Sequence, residues 1–152
     1  MNRIWIYQAD RFLSDEEVTR MSIALGDFVS TWAAHGSALA GKGYIKYNLF
    51  LILEVDEAQA GVTGCSIDSS VRFIKGLEQS YGVNFFDRMK VSFKDATGTV
   101  RLVGREEFER LVKDSEVTAD TMVFNNLIQQ GEELLTNWEI PFKDSWHSKV
   151  FL

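Results

Sequence analysis

The sequence predicts an α+β fold in a single compact domain over residues 1–152. Segments with apolar residues at helical spacing alternate with segments rich in aromatic and branched residues, which are typical of strands. A strand–helix–strand–helix half comes first and is expected to pack against a hairpin–helix half, as two lobes over residues 1–86 and 87–152. A chain of 152 residues can bury roughly 70% of its unfolded surface, so the fold needs no metal ion or disulfide.

The first strand and the first helix have the clearest local signals. Alternating aliphatic and aromatic side chains predict a strand at residues 3–8. Ser14 and Glu17 have the spacing of a capping box, which predicts the start of a helix over residues 14–33. The apolar residues of its buried face follow at helical spacing: Val18, Met21, Leu25, Phe28 and Trp32.

The rest of the first half is predicted from composition. Residues 35–43 are rich in glycine and indicate a loop, whereas residues 44–55 are rich in aromatic and branched residues and predict one long strand. A small, polar loop over residues 56–64 leads to a second helix over residues 68–81. Gly82 is placed to end that helix in a left-handed conformation.

In the second half, a hairpin is predicted first. Two strand-like segments, residues 88–94 and 99–103, flank the turn sequence at 95–98. A short amphipathic helix over residues 105–114 follows, and residues 121–124 predict a short strand.

The C-terminal region combines a helical pattern with an aromatic tail. Residues 127–138 have the pattern of a helix, and Pro141 would end that element. The tail at residues 146–152 is too aromatic for a solvated end, so we expect it to dock on the body of the protein. Trp146 and His147 could form the wall of a groove.

Composition and charge limit the classes of function. A net charge of −6 argues against a general nucleic-acid-binding protein, which normally carries a basic stripe. The longest apolar run, residues 49–53, is too short to cross a bilayer, and the N-terminal residues lack the apolar core of a signal peptide. A single cysteine fits a reducing compartment. We therefore expect a soluble cytoplasmic protein without a nucleic-acid or membrane partner.

Cys65 is the candidate nucleophile. It lies at the predicted start of the second helix, where unpaired N–H groups and the helix dipole favour an anion, including a thiolate. His35 could act as its base. The alternative interpretation is that Cys65 is a small packing residue, which is the commonest role of a cysteine without a disulfide.

A polar ligand site is a further hypothesis at the same helix start. Four small polar side chains could hold an anion or a polar ligand together with backbone N–H groups: Ser66, Asp68, Ser69 and Ser70. The alternative is helix capping, with Asp68 accepting hydrogen bonds from backbone amides of the first turn.

Nucleotide and metal sites are not favoured. Residues 36–43 nearly match a phosphate-binding loop, but Gly43 replaces the Ser or Thr that would hold Mg²⁺, and the segment precedes a strand instead of a helix. The two histidines and Cys65 lack the close spacing of a structural zinc site. No cofactor or metal is therefore predicted.

Several segments spread over the chain carry a resemblance to a known family. They are Trp5-Ile6-Tyr7-Gln8, His35-Gly36, Tyr47-Asn48, residues 64–74, Val123-Phe124-Asn125-Asn126 and Ser145-Trp146-His147. In these the sequence resembles a family of small, uncharacterised bacterial proteins often labelled "ABC transporter ATPase". That resemblance implies no established activity. The label itself does not fit the residues, because the phosphate-binding loop is incomplete.

The second half is also similar, more weakly, to GYF-type adaptor domains. The likeness lies in the hairpin, then in residues 106–111 and 117–123, and then in Trp138. It implies recognition of proline-rich peptides on an aromatic surface, although the Gly-Tyr-Phe signature is missing.

The leading functional expectation is a non-enzymatic binding or interaction protein. Its partner would be a protein or a small polar or anionic ligand, bound around residues 35–43 and 56–70. The alternatives are a small thiol-dependent enzyme that uses Cys65 and His35, and an adaptor that reads extended peptides with its C-terminal half.

Overall fold

A computed structural model describes residues 2–34, 36–58 and 60–151. Over these residues the protein has the predicted α+β fold, in which antiparallel sheets are combined with α-helices. The strands are β1 (Asn2–Gln8), β2 (Ala33–Ala34), β3 (Ser37–Ala38), β4 (Ala40–Lys46), β5 (Phe50–Asp56), β6 (Lys90–Lys94), β7 (Val100–Gly104), β8 (Met122–Phe124) and β9 (Glu139–Pro141). The helices are α1 (Asp15–Thr31), α2 (Gly64–Tyr81), α3 (Arg105–Lys113) and α4 (His147–Phe151). Among the described residues, no helix is both long and apolar enough to cross a membrane.

Two sheets organise the molecule. The first has the strand order β1-β5-β4, and the second has the order β7-β6-β8-β9, with antiparallel pairing throughout. Strand β5 is central in the first sheet and is buried from Phe50 to Val55. Because β1 pairs with β5 along one side, its other side is an edge of the sheet.

The predicted capping box of α1 is confirmed. The Ser14 hydroxyl accepts from the Glu17 backbone N–H at 3.1 Å, and the Glu17 carboxylate accepts from the Ser14 backbone N–H at 3.0 Å. Arg11 also donates to Glu17 through two hydrogen bonds. The hydrogen bonds from Arg11, followed by the one from Ser14, lower the pKa of Glu17 to about 2.

The predicted long strand at 44–55 is wrong, because the chain reverses within it. Tyr47 and Asn48 have φ values of 57° and 53°, and the Leu49 N–H donates to the Lys46 carbonyl at 3.1 Å. Two consecutive residues with positive φ are typical of the tight turns that join hairpin strands. The segment therefore forms the end of β4, a turn, and β5.

The glycine-rich segment at 35–43 is also not simply a loop. Residues 37–38 form β3, and residues 40–43 belong to β4. Gly41 and Gly43 allow the end of α1 to pack closely on β4: a Cβ atom at Gly43 would lie 3.0 Å from Leu25 Cδ2, and one at Gly41 would lie 3.1 Å from the Trp32 ring. Composition alone does not separate a glycine that serves flexibility from one that serves close packing.

Helix α2 begins four residues before the predicted start. Thr63 is the N-cap, and its capping box with Ser66 replaces the predicted cap at Asp68. At the other end, Gly82 adopts the predicted left-handed conformation with φ of 62°. The Trp32 indole N–H donates to the Ser66 carbonyl at 2.9 Å, which joins the end of α1 to the start of α2.

In the second half, the predicted hairpin, the helix α3 and the strand β8 are confirmed. The predicted helix at 127–138 is wrong. That stretch contains one short 3₁₀ helix, Gly131–Leu134, and a backbone bridge between Arg3 and Gln130. A Cβ atom at Gly131 would lie 2.8 Å from Glu54 Oε1, so this segment packs directly against the first sheet instead of forming an amphipathic helix.

Aromatic side chains join the two halves. Phe50 on β5 contacts Phe124 and Trp138 from the second half, with ring centroids 4.8 and 5.1 Å apart. Nearby, the Tyr47 hydroxyl donates to Glu139 at 2.8 Å. The predicted docking of the tail is confirmed for residues 147–151, because His147 is buried and the Phe151 ring lies 4.9 Å from that of Phe108.

The capping box should contribute measurably to stability. We expect Ser14→Ala to lower the free energy of unfolding by about 1 kcal/mol, because the Glu17 backbone N–H loses its side-chain acceptor. Ser30→Ala is the matched control, since the Ser30 hydroxyl donates only to the Asp27 carbonyl within α1. Urea titrations of both variants would measure the difference. Equal stabilities would contradict this role for Ser14.

Candidate functional site

A groove of about 610 Å³ lies along the outer edge of β1, and we call it the β1 groove. Residues 3–8 line its floor, residues 85–88 form one wall and residues 126–129 form the other. Residues 90–92 of β6 close one side together with Arg105 and with Trp146 and His147 from the C-terminal region. Its volume lies in the range of small-molecule binding sites. The expectation that Trp146 and His147 form a groove wall is thus confirmed.

The backbone of β1 is partly unpaired along this groove. The Ala9 N–H donates to the Leu49 carbonyl, which places the odd-numbered residues of β1 in hydrogen-bonded pairs with β5. The backbone N–H and C=O groups of Ile4 therefore point away from β5, towards the outer edge, and its N–H donates to the Gln129 carbonyl at 3.0 Å. Ile6 and Gln8 point outward in the same way, and within the described residues no backbone or side-chain hydrogen bond reaches their N–H or C=O groups on that side.

The β1 groove is basic in an acidic protein. Among the described residues that line it, four side chains are cationic and one, that of Asp87, is a carboxylate, so these residues have a net charge of +3 while that of the whole chain is −6. The cations are Arg3, Arg88, Lys90 and Arg105. Over the described ranges, none of them forms a salt bridge. No carboxylate of the described residues therefore lies within ion-pair distance of these four side chains.

The contacts of these cations are to backbone carbonyls and to an aromatic ring. Lys90 Nζ donates to the Asp10 carbonyl at 2.6 Å, and the Arg105 guanidinium donates to the Arg88 carbonyl at 3.3 Å. The Arg3 guanidinium lies 5.2 Å from the centroid of the Trp5 ring. These contacts hold the side chains in place and leave their charge available to a ligand.

Apolar side chains are exposed on both walls of the groove. Phe86 is 38% exposed on one wall, Leu127 is 66% exposed on the other, and Trp146 is 36% exposed on the side closed by β6. The Phe86 ring also contacts Tyr7 edge-on at 5.5 Å. Exposed aromatic groups next to unpaired cations suit a ligand that has both apolar and anionic parts.

His147 is the unusual polar residue of this groove. It is 3% exposed, and its Nδ1 has no hydrogen-bond partner among the described residues. Its ring stacks on that of Trp146 with centroids 3.8 Å apart. Burial, and secondarily the positive charge of Arg105, lower the pKa of His147 to about 4, so it is neutral at pH 7. A buried nitrogen without a partner is uncommon in folded proteins.

The structure places Cys65 away from this groove. Cys65 is exposed at the second residue of α2, beside a shallow depression that it lines with Asp68, Val71 and Arg72. The proposed base, His35, lies outside the described residues. The pairing of Cys65 with His35 therefore stays a prediction.

The three serines of the predicted polar site hydrogen-bond within α2 and its cap. Ser66 is buried, and its hydroxyl accepts from the Thr63 N–H and donates to the Thr63 carbonyl, both at 2.8 Å. Ser69 and Ser70 donate to the carbonyls of Ser66 and Ile67 at 2.8 and 2.6 Å. Asp68 is exposed in the second turn. Ligand binding by these four residues stays a prediction, and it would have to break or share these local bonds.

The segment that resembles a phosphate-binding loop leads into a strand, as its sequence indicates. Residues 40–43 belong to β4, and Lys42 lies 3.4 Å from the buried Glu54 carboxylate in an ion pair. The described part of this segment has no helix N-terminus that could receive a phosphate group. Over the described residues there is also no group of three His, Cys, Asp or Glu side chains arranged to hold a metal ion.

Comparisons with known proteins give no further assignment. No protein-family model, no curated protein and no solved structure matches this chain. The resemblances noted in the sequence therefore stay predictions, and the site must be interpreted from its own geometry.

Sequence reasoning missed most of the β1 groove. The edge position of β1 depends on sheet order, and the cations come from separate segments, such as residues 85–88 and the start of α3. The aromatic tail was the one signal in the sequence that pointed to it.

The buried imidazole predicts a pH-dependent stability. Because the pKa of His147 is lower in the folded protein than in the unfolded chain, stability is full above about pH 6.5 and is lost as pH falls towards 4. Between pH 7.5 and pH 5 this residue should cost about 2 kcal/mol of unfolding free energy. The free energy of unfolding of the His147→Gln variant should fall less between pH 7.5 and pH 5. Urea titrations at both pH values would test this, and equal pH dependence in the two proteins would contradict it.

Exposure of Cys65 predicts rapid alkylation. We expect iodoacetamide to modify Cys65 in the native protein at a rate within a few-fold of that in the denatured protein, because the thiol lies on the surface. Mass spectrometry after timed quenching would measure both rates. A thiol protected until the protein unfolds would contradict the exposed position.

Proposed function

We propose that this protein is a non-enzymatic binding protein and that its ligand site is the β1 groove. The ligand is anionic and carries an apolar group. The observation that carries this proposal is the set of four cations that have no ion pair among the described residues, in a groove of an otherwise acidic chain. The cytoplasmic location expected from the sequence is part of the same proposal.

Electrostatics support an anionic ligand. Outside the groove the chain has a net charge of −9, so an anion is repelled by most of the surface and attracted to one place. A concave site with low-dielectric walls strengthens this effect. Cations that already had carboxylate partners would contribute less to the binding of an anion, since the ligand would have to replace those partners.

The chemistry of the groove supports binding over turnover. An activated nucleophile needs a general base within hydrogen-bond reach, with a third group to orient that base. The histidine of the groove, His147, lacks an orienting group, because its Nδ1 has no hydrogen-bond partner among the described residues. The hydroxyl of Ser92 has no base beside it to activate it as a nucleophile, because it donates to the side chain of Gln8.

The thiol-dependent enzyme is a second candidate, because Cys65 is exposed at the start of a long helix. In that case iodoacetamide at neutral pH would modify native Cys65 at least about tenfold faster than the denatured control, and His35→Ala would abolish the difference. Equal rates in the native and denatured protein would remove this candidate.

The binding proposal predicts where a simple anion binds. We expect 1-anilinonaphthalene-8-sulfonate, an aromatic sulfonate, to shift backbone amide resonances of residues 3–8, 85–88 and 126–129 in the ¹⁵N-labelled protein. Arg88→Gln and Arg105→Gln should each weaken its binding by about fivefold, since each removes one charge contact.

The matched control is Arg72→Gln, which removes a cation beside Cys65 and should leave the affinity unchanged. Shifts confined to residues 64–72 would place the ligand on α2. Equal effects of Arg72→Gln and Arg88→Gln would show that the anion responds to positive charge anywhere on the surface. Either result would overturn the assignment to the β1 groove.

A further inference from the structure

We infer that the ligand of the β1 groove is an extended acidic peptide, which adds to the outer edge of β1 as a further strand. This inference rests on the proposed function and names the class of ligand. Three observations carry it: unpaired backbone groups on the edge, a segment of the chain that already pairs there, and the sign of the charge.

The first observation is the unpaired edge itself. Ile6 and Gln8 direct backbone N–H and C=O groups into the groove, and within the described residues nothing pairs with them there. Exposed strand edges are templates for another extended chain, and proteins usually cover or interrupt them. A peptide in β conformation offers the matching alternation of donors and acceptors.

The second observation is that the same edge already accepts a strand-like segment. Residues 128–130 run antiparallel to β1, with the Arg3–Gln130 bridge and the hydrogen bond between Ile4 and Gln129. Pairing stops at Ile4, whereas the groove continues to Gln8. A bound peptide would extend this pairing along the remaining half of β1.

The third observation is charge. Lys90 lies at the Gln8 end of β1, where its carbonyl accepts from the Gln8 side chain, and Arg3 lies at the other end. Arg105 lies beside Arg88, because its guanidinium donates to the Arg88 carbonyl. Acidic residues that flank the paired segment would therefore meet unpaired cations.

A second copy of this chain is a poor occupant, because pairing β1 with β1 would bring two sets of the same cations together. A nucleic acid would match the charge but has no backbone to pair with Ile6 and Gln8.

The walls indicate which side chains the peptide carries. Successive side chains of a strand point to opposite faces, so alternate residues of the peptide would face Phe86 on one wall and Leu127 on the other. Apolar residues at the centre of the peptide fit both walls. The expected ligand thus has a short apolar centre between acidic ends.

The test uses the full chain and the peptide acetyl-Asp-Glu-Val-Phe-Val-Glu-Asp-amide in calorimetric titrations. Two N-methylated forms have the same charge, one modified at the third and fifth residues and the other at the second, fourth and sixth. Only one of these two sets of N–H groups faces β1. We expect one form to bind at least about tenfold more weakly and the other to stay within about threefold of the parent.

Charge is tested separately. Replacing the four acidic residues of the peptide by lysine should abolish binding, and Arg88→Glu should weaken binding of the acidic peptide by about tenfold or more. Arg72→Glu, which changes a cation on α2, is the matched control and should have no effect.

Other outcomes overturn the inference. If the aromatic sulfonate binds in the groove while both N-methylated peptides bind like the parent, the groove is a ligand site but does not add a strand. If oligouridine displaces the sulfonate and the peptide does not bind, the ligand is a nucleic acid. If light scattering shows a dimer whose formation shifts the resonances of residues 3–8, the occupant is a second copy.

Discussion

The burial of strand β5 on both faces is the constraint on which the rest of the structure depends. Every residue from Phe50 to Val55 is buried, so this strand has to be covered from two sides. On one face, α1 packs closely over β4 and β5, where Gly43 leaves room for Leu25. On the other face, Phe50 contacts Phe124 and Trp138 from the second half. The two halves of the chain are joined by this shared core.

The position of the β1 groove follows from that arrangement. With β5 in the centre, β1 becomes an edge strand, and among the described residues the second half pairs with its outer backbone groups only as far as Ile4. At the far end, Lys90, Ser92 and Asn126 bond to the side chain of Gln8 and not to its backbone. Beyond that point the edge is bordered by residues 85–88 and by the docked C-terminal region. The proposed ligand site is therefore the part of the edge strand where, among the described residues, no segment of the chain pairs with the outer backbone groups. These groups are available to pair with a ligand.

Local signals predicted the elements whose structure depends on neighbouring residues. The capping box at Ser14, the left-handed Gly82 and the hairpin turn at 95–98 each involve contacts within a few residues, so their sequence patterns were sufficient. The wrong predictions concern segments whose conformation is set by contacts with residues far away in the chain. The turn at Tyr47 and Asn48 interrupts an apolar segment, and Asn48 was its one local signal, because asparagine tolerates positive φ better than most residues. The segment 127–138 has a helical pattern, yet its contacts with Asn2, Arg3 and Glu54 hold it in an irregular conformation.

The sequence by itself determined the α+β class, the two long helices with their approximate ends, and an aromatic C-terminal region that had to dock. These features follow from apolar periodicity and capping, which the order of residues encodes directly. The tertiary structure alone decided that Cys65 lies on the surface, that the serine hydroxyls bond within α2, and that Arg3, Arg88, Lys90 and Arg105 line one groove. The physical reason is that a site built from residues far apart in the chain exists only once the order of the strands is fixed, and strand order is set by long-range packing.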